Sequence, residues 1–480
     1  MAIPVLPTRR HSKEDLACQK LATCYSVRTN HIGTTTQRGN CTMKLRWFAS
    51  QFFVFASVIL YSPAWADDLP KDVSFSTAAF TPFAIEGLTM DATGNFYTTG
   101  RQTDATKKCP VWRITPSAKG SDFAKRVTVG FIPNQATSPT SSPCNPSGIT
   151  FDSIGNLYIA DAAMIGGVTG FVWKVKPDPT GCSSDDSTSC PTIGNSSVNS
   201  PTTPFVSGVP GTNGLAFDSD GNLWTGDGVT GRGRVWKIGR GGGACETTFN
   251  NCVEAFRIQP MRNGTALGGN ISVVATGAEP TQGVGRQART FPHTAAGGNP
   301  QDLVANGVAF NKKGDLFILD TARGAIWKVE LDRRGNVKSE MNCDKTFSLD
   351  TLCLHNIFVQ HPLLEGADGF ALDEKENMWV DANERNAVVV VSKSGEVTEV
   401  FRNPIGANTL RNGGPLEFPT SPFLHGKEFC TANSDGNRRD NFPNSEGEIP
   451  NTKDPANPKI GKISCMDEEL KIPGLPLPIK

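Results

Sequence analysis

The chain is poor in the signatures of several common chemistries. No G-x-S-x-G elbow is present and no Gly-rich phosphate loop follows an apolar strand, which excludes an elbow-type serine nucleophile and a nucleotide cradle. C-x-x-C pairs and Cys/His clusters at finger spacing are also missing, which argues against structural zinc as the role of the cysteines. Long Lys/Arg runs are absent, and 47 Lys+Arg stand against 47 Asp+Glu, which argues against nucleic acid as the main partner. Beyond residue 66 no apolar run is long enough to span a bilayer.

A leader is present. From Met43 the chain reads MKLRWFASQFFVFASVILYSPAWA: two basic residues, an apolar stretch from Phe48 to Leu60, then Ala64-Trp65-Ala66. This is the pattern of a secretory signal peptide over 43–66, cleaved after Ala66, and it implies export to the periplasm or the exterior. Residues 1–42 are polar and without periodicity, an upstream extension or a misassigned start. The leader region holds eight of the Lys/Arg and two of the Asp/Glu, leaving 39 basic against 45 acidic side chains and a mildly acidic exported part.

Three of the 13 cysteines precede Met43. The other ten fall into near neighbours: Cys109 and Cys144, Cys182 and Cys190, Cys245 and Cys252, Cys343 and Cys353, Cys430 and Cys465. An even count with short spacings in an exported chain predicts disulfides in an oxidising compartment, with connectivity left open by sequence.

Five segments repeat one grammar: IEGLTMDATGNFYTTG from Ile85, PSGITFDSIGNLYIAD from Pro146, TNGLAFDSDGNLWTGD from Thr212, ANGVAFNKKGDLFILD from Ala305 and ADGFALDEKENMWVDA from Ala367. Each has a Gly, an apolar strand, an Asp/Asn-led turn and a second apolar strand. Four continue into a third strand bearing Trp112, Trp173, Trp236 or Trp327. A degenerate sixth unit is expected in 414–435, with strands at Leu416–Phe418 and Glu428–Ala432. The predicted fold is all-β, a six-bladed β-propeller of four-stranded antiparallel blades around a central channel, over residues 67–465. Insertions are expected at about 178–204 and 239–300, and 466–480 reads as a Pro-rich, exposed arm. The tryptophans are expected to pack blade against blade, and the turn-leading Asp residues to cap their own backbone.

The residue before each leading Gly differs from blade to blade: Glu86, Ser147, Asn213, Asn306 and Asp368. All carry oxygen. In a propeller these positions converge on the axis, and two carboxylates with two amide carbonyls suit a hard divalent cation, calcium or magnesium, with zinc or manganese also able to bind. Taken singly, Ser, Asn or Asp before a Gly at a strand entry also fits turn chemistry, whereas Glu86 is not a turn former.

Glu86-Gly87, Asn213-Gly214, Asn306-Gly307 and Asp368-Gly369, in that blade order, resemble the SMP-30/gluconolactonase/LRE family of six-bladed propellers, itself related in shape to paraoxonases and strictosidine synthase-like proteins. The resemblance implies that Glu86, Asn213, Asn306 and Asp368 hold a divalent metal, calcium first, with Ser147 lining the same channel. It also implies a lactone or ester substrate whose carbonyl the metal polarises, with Asp368 as general base. The chain departs from the family in having no Arg in Val209–Asn213 and in placing Ser147 where a paraoxonase-like His would stand. His361 and His425 are candidate proton shuttles. The same residues also fit a non-catalytic propeller that binds a ligand or partner around a structural cation. Nothing in the sequence speaks to oligomeric state.

Overall fold

The computed structural model describes residues 68–102, 107–115, 125–133, 135–137, 140–142, 144–162, 170–177, 181, 204–228, 232–245, 251–259, 305–321, 323–364, 366–403, 415–434 and 461–476. The expected extension (1–42), leader (43–66) and Cys182 and Cys190 lie outside them, as do nearly all of 178–204 and the stretch 260–304.

The described regular structure is β apart from three short 3-10 turns. Among the described residues no helix is long and apolar enough to cross a membrane. Six antiparallel sheets form the blades. Blade 1 comprises Leu88–Met90, Phe96–Thr99, Cys109–Thr115 and Lys125–Ile132. Blade 2 comprises Pro146–Phe151, Leu157–Asp161, Phe171–Val175 and Val206–Ser207, with Gly243–Ala244 added in parallel at its edge. Blade 3 is Thr212–Phe217, Leu223–Asp227, Arg234–Ile238 and Cys252–Arg257. Blade 4 is Ala305–Phe310, Leu316–Asp320, Ala325–Val329 and Ile357–Gln360. Blade 5 is Ala367–Leu372, Met378–Ala382, Ala387–Val391 and Val397–Arg402.

Blade 6 is built from both ends of the described chain. Pro419–His425, Glu428–Asn433 and Gly461–Met466 supply three strands, and Phe75–Thr81 adds the outermost one. Phe75 lies opposite Met466 and Thr81 opposite Gly461. The inner strand therefore starts at Pro419 rather than in the expected Leu416–Phe418. Phe418 is left-handed, with φ 53°, and breaks the extended run just before Pro419. The segment from 239 is likewise not pure insertion, because Cys252–Arg257 is the fourth strand of blade 3.

The recurrent turn is held by its own leading side chain. Oδ1 of Asp91, Asp152, Asp218, Asn311 and Asp373 accepts hydrogen bonds from the backbone N–H groups two and four residues ahead, at 2.8–3.0 Å. The tryptophans serve packing: Trp112, Trp173, Trp224, Trp327 and Trp379 are fully buried. Trp224 meets Phe310 of the next blade edge-on at 6.0 Å, and Trp379 meets Phe429 at 5.6 Å. Disulfides join Cys109–Cys144, Cys245–Cys252, Cys343–Cys353 and Cys430–Cys465.

The C-terminal segment is not an exposed arm as far as residue 476. Leu470, Ile472 and Leu475 are buried. The backbone bonds Leu470 N–H to Lys427 O, Gly474 N–H to Gly426 O and Leu475 N–H to Leu372 O carry it across the turn end of blades 5 and 6. Its prolines keep it extended, while the apolar residues between them give it a face to bury. Leu475 lines a cavity of about 110 Å³ along the axis, whose walls are the inner strands of all six blades.

Candidate metal centre at the channel mouth

The inner strands begin at one end of the propeller, and there the repeated glycines explain themselves. A Cβ on Gly214 would lie 2.7 Å from Asn306 O and 2.8 Å from Gly307 Cα; one on Gly307 would lie 2.7 Å from Asp368 O. Added Cβ atoms on Gly87, Gly148 and Gly369 would overlap the carbonyl oxygens of Ser147, Asn213 and Thr420 in the same way. Each glycine is thus where one inner strand touches the next around the axis. The residue just before it forms a ring: Glu86, Ser147, Asn213, Asn306, Asp368 and, in blade 6, Thr420. Thr420 Oγ1 donates to Glu86 O at 2.8 Å and closes the circle.

The five ring residues other than Thr420 are those singled out in the sequence, and all six are buried. Their hydrogen bonds divide them into two sorts. Ser147 Oγ donates to Thr212 O at 2.8 Å, and Thr420 bonds Glu86 O, so both hydroxyls stitch one blade to the next. Asn306 Nδ2 instead donates to Thr321 Oγ1 at 3.2 Å, and Asp368 Oδ2 accepts from Asn383 Nδ2 at 2.7 Å. Asn213 packs against Gly228, where any Cβ would collide with its side-chain amide.

Those partners form a second ring. In each blade a residue just past the second strand lies beside the ring position: Arg101, two residues past Thr99, and Ala162, Gly228, Thr321, Asn383 and Ser434, each directly after its strand. In five blades its N–H bonds the carbonyl two residues before the ring residue: Arg101 to Ala84, Ala162 to Asn145, Gly228 to Gly211, Asn383 to Gly366 and Ser434 to Phe418. In blade 1 this places the Arg101 guanidinium against Glu86, with which it forms an ion pair. Arg101 Nε also donates to Pro146 O at 3.1 Å and Nη1 to Ser434 Oγ at 3.3 Å.

The donor set fits a hard divalent cation. Asn306 gives its amide nitrogen to Thr321, which leaves its carbonyl as the group suited to a metal, and Asp368 is held by a neutral donor. Beside it the Asn383 Oδ1 is buried without a hydrogen-bond partner, an acceptor that a cation would satisfy. Glu86 supplies the second carboxylate and already faces Arg101.

Neither histidine joins the ring. His425 ends the inner strand of blade 6, five residues from Thr420, about 16 Å away at strand rise. It stands at the turn end, so its expected shuttle role has no reach. His361 lies in the loop before blade 5, where Nδ1 accepts from Leu363 N–H at 3.1 Å. Burial, then the charge of Arg385, push its pKa down, which keeps the imidazole neutral with its proton on Nε2. A separate cluster, Glu340, Cys343, Cys353 and His355, has ligand atoms within 4.8 Å of one another. Both sulfurs are in a disulfide and offer no thiolate.

Thr420, Arg101, Thr321 and Asn383 escaped the sequence reading. Thr420 had a signal: every ring residue stands five positions before its turn-leading residue, Glu86 before Asp91 and Asp368 before Asp373, and Thr420 stands five before His425.

Residues 296–412, spanning blades 4 and 5, match the model of the SMP-30/Gluconolactonase/LRE-like region. Among curated proteins no sequence matches. In solved structures the chain is similar to a gluconolactonase from Xanthomonas campestris, at 12% identity and TM-score 0.43 over 86% of this chain and 93% of that one. It is similar to regucalcin from Agrobacterium tumefaciens, described as a calcium-binding protein, at 14% identity and TM-score 0.41 over 82% and 95%. A PQQ-bound aldose sugar dehydrogenase from Streptomyces coelicolor is also similar, at 12% identity and TM-score 0.46 over 83% and 99%.

Proposed function

We propose that the chain is an exported, metal-dependent hydrolase of the SMP-30/gluconolactonase type, acting on a lactone or ester at the ring end of the channel. The observation that carries this reading is the division within the ring. Two hydroxyls are spent on blade stitching, while at equivalent positions stand two amides and two carboxylates, the natural ligands of a cation, with Glu86 also paired to Arg101.

Glu86, Asn213, Asn306 and Asp368 would hold the metal, calcium first, with zinc, manganese or magnesium as alternatives. A bound divalent cation supplies Lewis acidity toward the carbonyl oxygen and lowers the pKa of a bound water. Asp368 takes the proton from the attacking water as general base. Asn383 fixes the rotation of that carboxylate through Oδ2. His361, neutral and with Nδ1 engaged, is at most a donor through Nε2. Export to the periplasm or the exterior is supported by the four disulfides among the described residues, a bond type that persists in oxidising compartments.

A hydrolysis screen over lactones and aryl esters with added calcium, zinc or manganese tests the proposal, wild type against Asp368→Ala. Metal-dependent turnover that disappears in the variant supports the enzyme. Metal binding that raises thermal stability without turnover of any substrate would replace it with a ligand- or partner-binding propeller built around a structural cation.

A further inference from the structure

We propose that Arg101 is the ring's own counter-cation and competes with the divalent metal for Glu86, so that this one side chain sets the affinity of the site. The inference rests on the cation-binding reading above and concerns a residue outside the four ligands.

The second ring carries it. Its six members are Arg101, Ala162, Gly228, Thr321, Asn383 and Ser434, and blade 1 alone sets a charged side chain against its ring residue. The guanidinium is fastened at three points by its planar fork: Glu86 in its own blade, Pro146 O in blade 2 and Ser434 Oγ in blade 6. The pair is largely withdrawn from water, with side-chain exposures of 11% for Arg101 and 5% for Glu86. In such surroundings charges are screened weakly, so a carboxylate already neutralised by a guanidinium attracts a metal less, and the guanidinium repels the incoming cation. Binding through Glu86 therefore requires Arg101 to yield its ion pair. Thr321 and Asn383 impose no such competition, because both are neutral.

The experiment is calorimetric titration of the full exported chain with calcium chloride, with calcium-induced change in melting temperature as a second readout. Arg101→Gln is expected to bind calcium at least tenfold more tightly than wild type. Its melting temperature should fall without calcium and recover at saturation. Arg101→Lys keeps the charge and should stay within threefold of wild type. In the Glu86→Gln background the gain from Arg101→Gln should vanish. Should Arg101→Gln fail to fold, Ser434→Ala, which removes one fastening of the guanidinium, must still tighten binding. Equal or weaker calcium binding in Arg101→Gln, with wild type binding normally, overturns the competition and leaves the metal site standing. No binding of calcium, zinc or manganese by wild type or variant at millimolar concentration overturns both.

Discussion

Replacing Gly214 with Ala tests the geometry on which the whole site depends. The new Cβ would stand 2.7 Å from Asn306 O, 2.8 Å from Gly307 Cα and 2.9 Å from Val308 N. Comfortable carbon contacts lie at about 3.5–4.0 Å, so blades 3 and 4 must part by roughly 1 Å at the ring. All three obstacles are backbone, so no rotamer change relieves them. Overpacking costs about 1–3 kcal/mol, and a backbone obstacle belongs at the upper end; the strand's preference for Ala over Gly returns about 0.5–1 kcal/mol. The net loss is about 2 kcal/mol, or roughly 2 °C in melting temperature for a chain of this size. Gly155→Ala is the control, with φ 83° and nothing within 4 Å of its added Cβ. It should lose about 1 kcal/mol from backbone strain alone and leave the ring untouched. Differential scanning calorimetry gives both numbers, and calcium titration gives the site effect, which should appear only in Gly214→Ala because Asn213 and Asn306 flank the clash. A Gly214→Ala protein that melts within 1 °C of wild type and binds calcium normally would refute the inference that blades touch at these glycines.

Asn383→Ala removes a hydrogen bond to a carboxylate, worth about 1.5–3 kcal/mol; turnover and calcium affinity should each fall about tenfold or more while the far-UV spectrum stays unchanged. Asp381 is fully buried, accepts from Thr431 Oγ1, and has a pKa driven well above the usual carboxylate range by burial. Its folded form thus keeps a proton that the unfolded chain releases above about pH 4, so this residue lowers stability as pH rises from there. Asp381→Asn should gain stability over wild type at pH 8 and lose that advantage near pH 4, as thermal melts across that range would reveal; a pH-independent difference would contradict it. Truncation after Met466 removes Leu470, Ile472 and Leu475 from the core, each worth about 1.5–3 kcal/mol as an upper bound. The shortened protein should melt several degrees lower and bind a hydrophobic dye at its turn end.

What was legible in the sequence is what recurs. Asp218 and its counterparts repeat because every hairpin needs a capped turn, and the five ring residues stand out because they sit at one place in that repeat yet differ in type. Thr420 was hidden because blade 6 has Ser421 where the others have Gly, which removes the landmark. The second ring was illegible for a stronger reason: Arg101, Thr321 and Asn383 share a position set by strand register and not by residue type. The tail misled through its prolines, which exclude regular strand pairing but do not prevent Leu470, Ile472 and Leu475 from covering an apolar end. The departure noted at Val209–Asn213, which lacks an arginine, also looks different once Arg101 of blade 1 is seen at the channel mouth.

Blade 6 has a consequence for the order of events in synthesis. Its outer strand, Phe75–Thr81, is made before every other described strand, and its partner Gly461–Met466 after all of them. Five blades can assemble as the chain emerges, but the circle stays open until the final strands arrive. A chain released early would leave Phe75–Thr81 as an unpaired edge, ready to pair with a neighbour.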